Sequence, residues 1–369
     1  MNIQMVDVKR QYLKYKKEID DAVFKVLESG QFINGPDVHK LAEEMQQYLG
    51  VKHAIPCASG TDALQLALMA LNIGPGDEVI TTPFTFVATA ETIAILGAKP
   101  VYVDIDEQTY NIDPGLIQKA ITKKTKAIIP VHLYGQSADM DAILQIANQH
   151  KIPVIEDAAQ AVGERYKGKP VCSLGLIGCI SFFPSKNLGA YGDAGMVVTS
   201  DDKLAEKIRM IANHGSKIRY YHELLGVNSR LDTLQAAILR IKLRHLDEWN
   251  KKRREIAQYY SGKLKSSAIT PPYTAHYAEH IFHQYTILLN EDRDEFQKYL
   301  NEKHIPNAIH YPIPLHLQDA FKKHSHYREG DFPKSEKAAS RVISLPMHPD
   351  LTREELDFII ETIHSFFKN

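Results

Sequence analysis

With 369 residues, 44% of them hydrophobic and 24% charged, the chain has room for one large domain and a smaller companion. That composition is globular; it excludes a disordered or fibrous protein. A net charge of −1 offers no basic field for nucleic acid, and three scattered cysteines offer neither a disulfide framework nor a zinc site.

The opening stretch MNIQMVDVKRQYLKYKKE mixes charge throughout and lacks the apolar core of a signal peptide. No apolar run approaches the roughly 18 residues of a membrane span, so a soluble, cytoplasmic protein is expected. From residue 50 to 200, short Val- and Ile-rich runs alternate with helical patterns. Strands are predicted at His53–Cys57, Glu78–Thr81, Lys99–Val103, Ala127–Val131, Pro153–Glu156, Ile177–Phe183 and Gly195–Thr199. Helices are predicted between them at Asp62–Leu71, Ala88–Leu96, Gly115–Ala120 and Met140–His150. Strands apolar on both faces and alternating with helices imply an α/β fold with a mostly parallel sheet.

The charged segment Ser229 to Lys265 reads as a helix bridging two lobes. Composition then shifts to Pro, His and Tyr around Thr270–Glu279. A smaller α/β unit follows, with a strand at His283–Leu289 and helices at Arg293–Lys303 and Arg353–Phe367. The boundary is drawn near 245, giving domains 1–245 and 246–369.

Two motifs can be dismissed. Gly163 to Lys169 fits the first seven places of a P-loop, but Pro170 stands where a magnesium-ligating Ser or Thr is needed, so a polar hairpin is expected. No G-x-G-x-x-G follows the first strand, which counts against a dinucleotide site. His324 and His326 lie among lysines in KKHSHY and read as a solvated loop, so no metal is expected.

Three features remain, each where a parallel sheet gathers its ligands, at the carboxyl ends of strands. Ser59-Gly60-Thr61-Asp62 opens a helix directly after a strand, which suits either a plain N-cap or a phosphate site. Asp157 ends an apolar strand, where it can cap the next helix or hold a proton on a buried heteroaromatic nitrogen. Lys186 follows the apolar run Cys179-Ile-Ser-Phe-Phe-Pro184. It is either an ordinary loop residue or a desolvated lysine with a lowered pKa, able to form a Schiff base. Ser181 and Ser185 offer hydroxyls beside it. Together the three are the parts needed to hold pyridoxal 5′-phosphate.

Ser-Gly-Thr-Asp-Ala-Leu, Glu-Asp-Ala-Ala-Gln, Ser-Phe-Phe-Pro-Ser-Lys-Asn-Leu-Gly and Gly-Asp-Ala-Gly resemble the nucleotide-sugar aminotransferases of the DegT/DnrJ/StrS group. The likeness runs from Phe32-Ile-Asn-Gly-Pro36 to His310-Tyr-Pro-Ile-Pro314. It implies a fold-type I pyridoxal-phosphate enzyme with a seven-stranded sheet sandwiched by helices and a smaller C-terminal domain. By the same resemblance Lys186 is the catalytic Schiff-base lysine, Asp157 partners the ring nitrogen and Gln160 reaches the ring oxygen. Gly60, Thr61 and Ser181 hold the phosphate, and Phe86 stacks on the ring. The resemblance also implies a homodimer with shared sites, in which Asn228 reaches the partner's phosphate. Arg230 would lie near the partner's substrate, and His310 and Tyr311 near the sugar. Val227 to Ala237, with His310-Tyr-Pro-Ile-Pro and Leu345-Pro-Met-His-Pro, is most similar to enzymes aminating C3 of a UDP-2-acetamido-2-deoxy-3-oxo-uluronic acid. Those use L-glutamate, pass through the pyridoxamine form and serve surface polysaccharide. The resemblance leaves open a dTDP- or UDP-linked 3-keto or 4-keto-6-deoxy sugar. Related dehydratases carry histidine in place of the lysine, so Lys186 speaks against that activity, and the intact Lys186, Asp157 and Gln160 speak against a non-catalytic regulator.

Overall fold

The computed structural model describes residues 2–290, 292–322 and 326–367. A four-stranded sheet runs in the order His53–Cys57, Gly195–Thr199, Ile177–Ser181, Ile155–Asp157. A three-stranded sheet of Thr125–Ile128, Glu78–Thr81 and Lys99–Tyr102 continues it. Parallel bridges Ile128–Val154 and Val131–Asp157 join the two into the seven-stranded sheet expected. Every strand is parallel except Gly195–Thr199, which is antiparallel to both neighbours.

The central strands Ile177–Ser181 and Gly195–Thr199 are buried at every position, as strands covered on both faces must be. Leu64, Ala67 and Leu68 of the Gly60–Ala70 helix pack on one face. Val38, Leu41 and Met45 of the Pro36–Leu49 helix belong to the core on the other. Gly178 is required by close packing: a Cβ there would meet Cys172 Cβ at 2.6 Å. All three cysteines are free and buried.

A second core lies under an antiparallel sheet of Ile269–Thr270, Tyr285–Leu289 and Val342–Leu345. The helices Leu246–Lys263, Arg293–Glu302 and Arg353–Phe366 supply Tyr260, Phe296, Ile359 and Ile363 to it. The start of the chain joins this second core. Ile3 is buried within it, Met347 N–H donates to the Met5 carbonyl, and Arg10 binds Glu355 (2.8 Å) and the Asp350 carbonyl (2.7 Å).

The expected bridging helix is two helices, Thr233–Leu243 and Leu246–Lys263, broken at Arg244-His245. Ala236 and Leu239 of the first and Leu246 at the start of the second pack in the large core, and Ile256, Ala257 and Tyr260 in the small one. The strand expected at Ala127–Val131 is Thr125–Ile128, with Val131 retained as a bridge to Asp157. The P-loop lookalike is a hairpin pairing Arg165–Tyr166 with Lys169–Pro170. His324 lies outside the described residues, and His326 is exposed. Among the described residues no group of three His, Cys, Asp or Glu side chains is placed to hold a metal, and no helix is long and apolar enough to cross a membrane.

Candidate active site

A cavity of about 450 Å³ opens at the carboxyl ends of the strands. Gly60, Thr61, Phe86, Asp157, Gln160, Ser181, Lys186, His310 and Tyr311, all singled out from sequence, line it. Asn228 and Arg230 do not. Asn228 is exposed, bridged to Asn213, and Arg230 is partly buried two residues on.

The Ile177–Ser181 strand delivers Lys186 through a tight loop in which the Lys186 amide donates to the Phe183 carbonyl. Gly189 closes that loop, since a Cβ there would sit 2.3 Å from the Pro184 carbonyl oxygen. No described residue is hydrogen-bonded to the Lys186 amine. Burial lowers its pKa to about 8, opposed by the negative charge of Asp157.

Asp157 is buried, and burial pushes its carboxyl up. Thr89 Oγ1 donates to its Oδ2 at 2.8 Å and Ala159 N–H to its Oδ1 at 3.2 Å, both favouring the carboxylate. Thr85 lies 3.2 Å behind Thr89, extending the chain of hydroxyls. Glu156, beside Asp157, faces the other way. It accepts from Cys172, Leu174 and Gly175 N–H and from His132, so its work is structural.

Ser59 caps the helix carrying Gly60 and Thr61 by accepting from Asp62 N–H at 3.1 Å. First-turn amides have no carbonyl of their own helix to bond, so they are open to an anion. The cradle is built at glycine clearance: a Cβ on Gly60 would meet Ser181 Cβ at 2.6 Å, and one on Gly195 the Ser59 carbonyl oxygen at 2.2 Å. Gln160 is already oriented, accepting from Tyr134 N–H (2.6 Å) and donating to Tyr311 Oη (3.0 Å). Phe86, 53% exposed, lines the cavity with its ring centroid 6.1 Å from that of Tyr311. His310 Nδ1 lies 2.9 Å from Ser344 Oγ, and burial lowers its pKa to about 4.

Sequence reasoning missed Thr85, Thr89 and His283. Thr85 lies in the bend before the Ala88–Ile95 helix and Thr89 in its first turn, so no helical periodicity marks the pair. His283 comes from the smaller unit, and nothing local marks it. The residues gathered fit a phosphorylated pyridine aldehyde: an uncommitted amine for the aldehyde, a strand-end acid for the ring nitrogen, and amides and hydroxyls for the phosphate.

Such a set at the carboxyl edge of a mostly parallel sheet defines a pyridoxal-phosphate enzyme of fold type I. Residues 14–364 match the DegT/DnrJ/EryC1/StrS aminotransferase family, and the chain belongs to it. It is 51% identical, over 97% of its length and 98% of the relative's, to the UDP-2-acetamido-2-deoxy-3-oxo-D-glucuronate aminotransferase of Pseudomonas aeruginosa. It is also 51% identical, over the whole of both chains, to a Geobacillus stearothermophilus protein named pleiotropic regulatory protein. The solved structure of S. venezuelae DesV in complex with a ketimine intermediate superposes with a TM-score of 0.97 at 42% identity, covering 100% of this chain and 99% of that one. The family's cofactor is pyridoxal phosphate, and solved members carry it in both its PLP and PMP forms.

Proposed function

We propose that this aminotransferase moves an amino group from L-glutamate to C3 of a UDP-linked 2-acetamido-2-deoxy-3-oxo-hexuronic acid, supplying an amino sugar for surface polysaccharide such as O-antigen. The observation that carries the chemistry is the free, desolvated Lys186 amine in one cavity with Asp157 and the Gly60–Thr61 helix end. The substrate reading is supported by the Pseudomonas aeruginosa relative.

When bound, pyridoxal phosphate supplies a carbonyl for amines and a ring that withdraws electrons. Lys186 anchors it and then, as a free amine, takes the proton from the Cα of glutamate. In the second half it returns a proton at the sugar carbon. Asp157, whose carboxylate form the Thr89 hydroxyl and the Ala159 amide favour against burial, holds the proton on the ring nitrogen. Gly60, Thr61 and Ser181 bind the phosphate, Gln160 meets the ring oxygen and Phe86 covers the ring. His310 and Tyr311 contact the sugar. Arg230 suits a substrate bearing carboxylate and phosphates, because its guanidinium fork matches both.

The working unit is a cytoplasmic homodimer in which Asn228 and Arg230 complete the partner's site. In support, Asn228 is exposed and closely follows Ile218, Tyr220, Tyr221 and Leu225, apolar side chains left in solvent, Leu225 by 93%.

The visible spectrum of the purified protein tests this reading. A cofactor band should shift with L-glutamate and be restored by the UDP-3-oxo-uluronate. Restoration only by a 4-oxo-6-deoxy sugar or a dTDP-sugar overturns the substrate. No band after adding pyridoxal phosphate overturns the role of Lys186 and leaves a regulator of the same fold.

A further inference from the structure

We infer that His283 is a positioning residue for Lys186: its Nε2 lone pair, held on the cavity wall, is there to accept a hydrogen bond from the lysine amine once that amine has taken up the substrate's proton. This rests on the proposed role of Lys186 as the proton carrier.

The tautomer of His283 follows from a buried relay anchored on a group that can only accept. Asn250 Nδ2 donates to the Val162 carbonyl at 3.3 Å. That leaves Asn250 Oδ1 to accept from Asn187 Nδ2 at 2.8 Å. Asn187 Oδ1 is therefore the atom facing His283 Nδ1 at 3.1 Å, and only a protonated Nδ1 makes that bond. The proton is thus on Nδ1 and the lone pair on Nε2. Asn187, Asn250 and His283 are all buried, so water does not scramble the order. Gly163 makes the space, because a Cβ there would lie 2.4 Å from Asn250 Nδ2.

Asn187 follows Lys186 directly in the chain, and His283 lines the cavity beside it. Arg253 donates to the carbonyls of Phe282 (3.1 Å), His283 (3.3 Å) and Met347 (3.0 Å), fixing the backbone that carries the ring. Desolvation holds the imidazole neutral, and the other groups facing it, Lys186, Arg253 and His310, act in the same direction. A neutral ring with a fixed lone pair is an acceptor that does not compete for the proton. Across the cavity His310 differs: its Nδ1 meets the Ser344 hydroxyl, which can donate or accept, so its tautomer is left open.

The holoenzyme labelled with ¹⁵N-histidine gives the first readout. Long-range ¹⁵N–¹H correlation should show His283 protonated on Nδ1 and bare on Nε2. A proton on Nε2 overturns the inference. The second readout is the rate of the glutamate-driven spectral change. His283→Phe should slow it roughly tenfold to a hundredfold, the worth of a hydrogen bond to a charged group. The KM for glutamate should hold, and the isotope effect with 2-deuterated glutamate should rise. His283→Gln, which keeps an acceptor oxygen, should recover most of the rate. A wild-type rate and isotope effect in His283→Phe, or no recovery in His283→Gln, overturns the inference. Should His283→Phe fail to fold, Asn250→Ala carries the test, with mixed His283 tautomers and a slowed rate expected; a fixed tautomer at the wild-type rate overturns it. If wild-type enzyme does not respond to glutamate, it is the proposed function that fails.

Discussion

Lys186 owes its chemistry to lost water. An amine with a pKa near 8 is largely uncharged at mildly alkaline pH, whereas an exposed lysine is not. Because this is a cation whose pKa is lowered, protonation dominates below about pH 8 and the nucleophile is lost there. Capture of pyridoxal phosphate by the apoenzyme is expected to fall with a midpoint near pH 8 and to level off above it, followed by stopped-flow absorbance. Thr89→Val removes the hydroxyl on Asp157 Oδ2. Cofactor affinity should weaken roughly tenfold by equilibrium dialysis, the worth of one hydrogen bond to a carboxylate; unchanged affinity would show that Thr89 does not hold the acid ionised. Lys186, Asp157 and Gly60 were legible because each sits in a short motif at a strand end. Thr89 and His283 were not, since their partners lie 68 and 96 residues away and only folding brings them together.

Among the elements, the Gly60–Ala70 helix and the Ile177–Ser181 strand meet with no room for a methyl group. Gly60→Ala should lower stability by about 1–3 kcal/mol through overpacking and weaken cofactor binding with it, as urea unfolding and absorbance titration would show. The Thr233–Leu243 helix carries Lys242, buried, with its amine on the Gly189 carbonyl and 5.0 Å from the Tyr191 ring centroid. Burial lowers its pKa to about 7. Between pH 7 and about 10.5 the unfolded chain holds this proton more tightly than the folded one, so stability rises with pH. Below pH 7 both states are protonated and the penalty is constant. Relative to Lys242→Met, wild type should therefore gain stability as pH climbs from 7 to 10, measured by paired urea unfolding. Strand positions were readable from apolar runs bounded by turns. The break at Arg244-His245 was not, because no Gly or Pro marks it and the pattern is helical on both sides.

For the whole molecule, alternating apolar runs and helical patterns implied the mostly parallel sheet, and with it the edge where ligands gather. What one chain's sequence does not reveal is how surfaces meet. Leu225→Asp should yield a monomer by light scattering and lose activity along with the dimer, since the proposed site borrows Asn228; an active monomer would refute shared sites. The hold of Ile3, Met5 and Arg10 on the second core has a consequence for the order of synthesis. Arg10 and Asp350 are 340 residues apart. At the usual pace of translation the first waits roughly 20 to 70 seconds for the second to be made. The large sheet can assemble in that interval while the chain's first residues stay unpaired. Closing the clasp is then among the final acts of folding, after the last helix has left the ribosome.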